Sequence, residues 1–174
     1  KLRLDAGVKS SYVTADNKPL FYDQSGGADV LDTSKSNHFV YSEQINAAYI
    51  NAAKDIGKWS MQLGLRCEQT IANGDQKITG QKFTREYTQL FPSLALQWHL
   101  NANHDLGITL SRRIDRPSYR QLNPFKYFLE PTNYRMGNPY LNPTLTYALE
   151  LSHTWKQRFI TTLTTSTATN VITE

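Results

Sequence analysis

The stretch KWSMQLGLRCEQTI, residues 58–71, decides the fold class. Trp59, Met61, Leu63, Leu65, Cys67 and Ile71 stand at alternate positions, and Ser60, Gln62, Gly64, Arg66, Glu68 and Thr70 fill the places between. Side chains along a strand point to opposite faces in turn, so this pattern describes a strand with one apolar and one polar face.

The same alternation extends outward in both directions. Upstream, residues 2–12 set Leu2, Leu4, Ala6, Val8 and Tyr12 against Arg3, Asp5, Gly7 and Lys9. A second strand is expected over 38–52, with Phe39, Tyr41, Ile45, Ala47 and Tyr49 as its apolar face and Ser42, Gln44 and Asn46 on the other. Val40 and Ile50 soften that contrast. Downstream, strands are expected over 87–100, 105–113, 145–155 and 158–169, the last Thr-rich and weakly patterned. Pro92 lacks the N–H a ladder needs, so the fourth strand is expected to start after it or to bulge there. The whole reads as an all-β antiparallel up-and-down meander of about seven strands.

Connection lengths sort by end. Residues 16–36, 72–85 and 111–143 read as long loops, and 53–57, 101–104 and 156–157 as short turns. In consecutive antiparallel strands this puts every short turn at one end. Transmembrane β-barrels have that asymmetry, with short periplasmic turns and longer extracellular loops. Trp59, Trp98 and Trp155 each lie beside a short turn, on the apolar face of their strands. They are expected to form a membrane-interface girdle, because indole joins an apolar body to a polar N–H. No apolar run approaches the roughly 18 residues of a membrane helix, which leaves strands as the means of crossing.

The longest loop, SRRIDRPSYRQLNPFKYFLEPTNYRMGNPYLNP at 111–143, carries Arg112, Arg113, Arg116, Arg120, Lys126 and Arg135 against only Asp115 and Glu130. That surplus of four equals the formal net charge of the chain, +4, so the remainder is balanced. A long ordered loop of this density in Arg, Tyr and Pro is expected to be functional or to anchor a partner. Charge confined to one patch argues against nucleic acid as a partner.

SRRIDRPSYRQLNPF (111–125), followed by GNPYLNP (137–143) and a strand, resembles the outer-membrane β-barrel family of TonB-dependent receptor-like proteins of Bacteroidetes type. HFVYSE (38–43), GLRCEQT (64–70) and LFPSL (90–94) resemble it too, so the likeness runs along nearly the whole chain. The resemblance implies a large barrel with an N-terminal plug that takes up a nutrient across the outer membrane with energy from TonB. It implies outer-membrane lipid, the plug, TonB and a surface lipoprotein as partners. About seven strands do not close a large barrel, and residues 1–174 are therefore expected to be a single segment of barrel wall, without the plug.

Within that reading Arg112, Arg113 and Arg116 are expected to fix the loop or plug, or to hold an anionic group. Tyr119, Asn123, Tyr134 and Arg135 are candidate contacts at the barrel mouth. A soluble all-β module binding glycan or peptide through 111–143 is the alternative. No enzyme is expected. Ser93 and His99 on one strand stand about 20 Å apart, too far for a nucleophile and its base. His38, His99, His104 and His153 have no metal-ligand spacing, and the lone Cys67 reads as a small apolar residue, so neither cofactor nor metal is expected.

Overall fold

The computed structural model describes residues 1–130 and 132–172. Seven long strands form one antiparallel sheet: β1 (Leu2–Asn17), β4 (Phe39–Ile56), β5 (Trp59–Gln76), β6 (Gln81–Asn101), β7 (His104–Asp115), β10 (Thr144–Trp155) and β11 (Phe159–Thr169). Their spatial order is their chain order, an up-and-down meander with β1 and β11 at its edges. Small elements occupy two of the connections. β2 (Tyr22–Asp23) and β3 (Val30–Leu31) pair between β1 and β4. One helical turn, α1 (Tyr119–Leu122), and a hairpin of β8 (Lys126–Glu130) and β9 (Asn133–Met136) lie between β7 and β10.

The short turns close by local backbone chemistry. Gly57 takes φ +60 between β4 and β5, and Lys156 and Gln157 both take positive φ between β10 and β11. Two successive left-handed residues match the right-handed twist of the flanking strands.

Register fixes which side chains share a face. Trp59 is opposite Trp98, Leu63 opposite Leu94 and Leu65 opposite Ile50. Leu94 is opposite Leu110, which is opposite Leu149. These residues form an apolar face that no other described residue covers: Leu63 is 51% exposed and Leu65 45%. The three tryptophans lie on this face beside the short turns. Trp59 and Trp98 stack at 5.1 Å, and Trp155 stacks on Phe159 at 5.6 Å. The opposite face is polar along most of its length.

Three expectations need correction. Residues 72–85 are not a loop. β5 and β6 continue in register through Gln76 and Gln81 and turn only over 77–80, where Gly80 has φ +74. Second, the apolar set of β4 lies on the polar face, because Phe39, Tyr41, Glu43 and Ile45 pair across from Gln76, Gly74, Ala72 and Thr70. The residues that continue the apolar face are Ala48, Ile50 and Ala52. Third, β6 neither starts after Pro92 nor bulges there. It runs straight through, with Pro92 opposite Leu65 on one side. On the other side, pairing with β7 ends at Ser93 and Ser111, one residue short of Pro92. Leu90, two residues away, turns its carbonyl toward β7 to meet Arg112. The N–H that proline lacks is therefore the one that would have faced β7.

Candidate functional site

After Asp115 the chain leaves the sheet and crosses the polar face. Arg116 Nη2 donates to Glu68 Oε2 at 2.6 Å and to Thr70 Oγ1 at 3.2 Å, reaching from β7 across β6 to β5. Arg66 Nε lies 2.8 Å from the other oxygen of Glu68, so one carboxylate holds two guanidinium groups. Burial works against the charge on Arg116, but the bond to Glu68 and the charges of Tyr87, Glu68 and Glu43 together outweigh it and raise the pKa above the usual arginine value.

Pro117 is buried and Ser118 caps α1. The Ser118 hydroxyl accepts from Gln121 N, and the Gln121 side chain accepts from Ser118 N at 2.9 Å, a reciprocal capping box. The helix turns Leu122 inward onto Phe39, Tyr41 and Ala72, with Ala15, Phe83, Tyr119 and Leu141 around them. This cluster is the core of the molecule, and it lies between the loop and the polar face of the sheet.

The two motifs of the loop meet each other. Gly137 N donates to Asn123 O at 2.9 Å, and Asn138 N to Gln121 O at 2.7 Å. A Cβ on Gly137 would stand 2.5 Å from Asn123 O, 2.6 Å from Gln121 O and 2.7 Å from Arg120 O. Only glycine lets the returning chain close on the three carbonyls that end α1. Arg85 of β6 then clamps the return, donating to Leu141 O and, at 2.7 Å, to Asn142 Oδ1.

A network of buried amides ties the three loops together. Asn37, Gln76 and Asn123 are almost wholly buried, as is Ser36. Gln76 Nε2 donates to Asn37 Oδ1 at 2.6 Å. Asn37 Nδ2 and Asn123 Nδ2 both donate to Tyr127 Oη, the latter at 3.2 Å. Burial pushes the Tyr127 phenol up, and the two amide donors oppose that shift. Ile78 N donates to Gln76 Oε1 at 2.7 Å, Phe125 N to Asn123 Oδ1 at 3.1 Å, and Asn37 N to Pro19 O at 2.9 Å. The side chains of Gln76 and Asn123 each accept from a backbone N–H of their own segment, and the Asn37 side chain bridges Gln76 to Tyr127. Asn37 and Gln76 carry no signal in the sequence, where Asn37 is one polar residue after an expected loop and Gln76 one polar residue within another.

The arginines at 112, 113 and 116 do not form one cluster, because successive residues on a strand alternate faces. Arg112 belongs to the row of Leu106, Ile108 and Leu110 on the apolar face. Its guanidinium donates to Leu90 O and, at 2.6 Å, to Gln89 Oε1, and lies over the rings of Phe91 (5.6 Å) and Tyr147 (5.3 Å). Arg113 is exposed on the polar face and forms no ion pair among the described residues. Tyr119 packs against the core cluster, with its hydroxyl 3.3 Å from Arg120 Nε. Asn123 is 2% exposed and turned toward its own loop. Tyr134 is 46% exposed on the β8–β9 hairpin, tilted against Phe128 at 5.8 Å with Lys126 Nζ 4.7 Å above its ring. Arg135 beside it is exposed.

No curated protein matches the chain. Among solved structures, the crystal structure of the ferric citrate transporter FecA in its unliganded form superposes with a TM-score of 0.53 at 18% identity. The match covers 87% of this chain and 22% of that one, and at this identity it speaks for the fold alone. The family model described as "Outer membrane protein beta-barrel family" matches residues 1–174. An apolar face open to the outside, a polar opposite face and two long connections at the end away from the tryptophans suit a barrel wall in lipid, and the chain belongs to this outer-membrane β-barrel family.

Proposed function

We propose that the chain is one segment of the wall of an outer-membrane barrel that imports a nutrient, driven by TonB through a plug in the lumen. The observation that carries this is the face on which loop 111–143 folds. It packs on the polar, lumen-side face, with Leu122 on Phe39 and Tyr41, and so narrows the mouth from within. Lys9, Arg113 and Glu150 stand exposed on the same face, with no ion pairs among the described residues. Charges left open along a lumen suit a domain seated inside it.

In this reading Arg116, Tyr119 and Asn123 hold the loop, while Arg113 meets the plug. Tyr134 and Arg135, at the exposed hairpin, contact the ligand or a surface lipoprotein, with Phe128 extending the aromatic surface. Trp59, Trp98 and Trp155 form the periplasmic girdle. No catalytic role is assigned. The likeness to a transporter supports import, and the uncovered apolar face disfavours the soluble binding module.

The test is depletion of a complex growth medium by cells with and without the full-length gene, compared by mass spectrometry. At least one solute should persist in medium from the deletion strain, and disruption of TonB should reproduce that defect. Identical depletion by both strains would refute import.

A further inference from the structure

The β5–β6 arm outgrows its neighbour. β6 pairs with β5 all the way from Gln81, but with β7 only from Ser93 downward. Odd residues of β6 turn their backbone groups to the β5 side, as His99 N does in donating to Lys58 O at 2.8 Å. Even residues therefore turn theirs to the lane of β7. Beside Lys82, Thr84, Glu86 and Thr88 that lane is empty, and their backbone N–H and C=O groups have no partner there among the described residues.

Depth divides this free edge in two. The outward row of β6 is polar at Lys82, Thr84, Glu86 and Thr88 and apolar from Leu90 to Trp98. Thr88 is ten residues from Trp98, or about 33 Å along the strand. At a tilt of about 40° that is the height of an apolar band about 25 Å tall. The change of character between Leu90 and Thr88 thus falls at the outer surface of the bilayer. Within the lipid, open backbone has to be satisfied by the protein itself, and Arg112 donates to Leu90 O. Above the lipid no described residue closes the edge.

We propose that the β6 edge from Lys82 to Thr88 takes an extended segment of a second protein as an added strand, on the outer side of the membrane. The edge presents four N–H groups and four carbonyls. They repeat over about 20 Å, a pattern that only another extended backbone matches. A second copy of the chain does not fit. Two barrels in one membrane are related by an axis along its normal, so strands tilted by about 40° cross at roughly 80° and form no ladder. Loop 116–143 is held inside by Leu122, Gly137 and Arg85. An anionic glycan meets no free cation on the edge, because Lys82 is paired with Asp75 at 3.3 Å.

Side chains specify the guest further. Phe83 and Tyr87 stand half-buried on the inner face, and an apolar residue of the guest packs beside each. Glu86 on the outer face is exposed, accepts from Gln69 Nε2 at 2.7 Å and has no ion pair among the described residues. A lysine or arginine of the guest pairs with it. The site depends on the outer-membrane placement of the chain and not on import, so loss of either leaves the other standing.

The test uses the full-length protein, purified folded in mild detergent, and a blocked peptide of alternating threonine and valine with one central lysine. Fluorescence anisotropy should show binding by the wild type. Hydrogen exchange should then slow at the amides of Thr84, Glu86 and Thr88, while those of Arg85 and Tyr87, already in the β5 ladder, stay as they were. The same peptide N-methylated at every residue should not bind. Thr84→Pro removes one edge N–H and leaves the β5 ladder intact. It should weaken binding about five-fold, the worth of one backbone hydrogen bond. Glu86→Gln should weaken it about two-fold, and only for a peptide that carries the lysine. Migration on unboiled gels checks that each variant is folded. No binding by the wild type, equal binding of the N-methylated peptide, or undiminished binding by folded Thr84→Pro would each overturn the proposal.

Discussion

Gly137 and Asn37 show how much of the mouth depends on single atoms. Gly137→Ala sets a methyl group against three carbonyls at 2.5 to 2.7 Å, all of them backbone and unable to turn away. The return segment must shift, at about 1–3 kcal/mol for overpacking of this kind. Limited proteolysis of the folded full-length protein should then cut within 117–143 at lower protease concentration, while heat stability of the barrel stays unchanged. Asn37→Leu leaves the buried Gln76 Nε2 without its acceptor and takes from Tyr127 Oη one of its two amide donors. The orphaned Gln76 donor costs about 1–3 kcal/mol. Hydrogen exchange should show faster labelling in all three loops together, not in 19–37 alone. Confinement of the change to one loop would mean that the amides do not couple them.

Elements differ in how far the sequence announced them. β5 could be read almost completely, because one of its faces meets lipid and the other water, and hydropathy alternates accordingly. Its upper part, Ala72–Gln76, could not, because above the membrane both faces of the β5–β6 arm are polar or packed under a loop. Asn73, Asp75, Lys82 and Arg85 then look like loop residues, although an unbroken ladder pairs them. β4 misled for the complementary reason. Phe39 and Tyr41 are apolar because a loop folds onto them. Alternation in a strand cannot say whether lipid or protein covers its apolar side. The mouth residues were half legible: Arg116 and Tyr134 stood out by type and place, whereas the amide network joins residues from separate stretches. Pro92 drew notice in the sequence, but only the register shows which neighbour it cuts off. Pro92→Val restores an N–H toward β7 and should add one slowly exchanging amide there.

The connection between β1 and β4 has its own pH limit. Asp32 accepts from Ser34 Oγ at 2.5 Å and from Ser34 N at 3.0 Å, with Lys35 Nζ 3.0 Å away. The Ser34 hydroxyl, then Lys35, hold the carboxyl down to about 2 from its usual 3.8. A carboxyl lowered by folding stabilises the loop fully above the unfolded value and loses that support as pH falls toward 2. Protection of the Ser34 and Lys35 amides should therefore be constant from pH 7 to 5 and decline below 4. Asp32→Asn should remove the dependence.

At the scale of the molecule, the sheet is a wall with lipid on one side. Its orientation is open to direct measurement. The Trp59–Trp98 and Trp155–Phe159 stacks lie beside the short turns on the apolar face. In bilayers of brominated lipids, tryptophan emission should be quenched more by bromine near the headgroup than by bromine at the chain ends. Stronger quenching from the bilayer centre would move the girdle off the interface and shift the apolar band with it.

Asp115 and Thr144 are direct partners in the ladder, so residues 116–143 leave the sheet and return to it at one rung. For the wall, β7 and β10 are two arms of a hairpin, and what hangs from their tip carries no information about strand register. Insertions, deletions or wholesale exchange between these two anchors leave every lipid-facing residue where it was. Descent with modification can thus rewrite the mouth of such a protein at the pace of a surface loop while its membrane-embedded frame stays fixed. If the import reading proposed above holds, swapping 116–143 between relatives should transfer ligand preference.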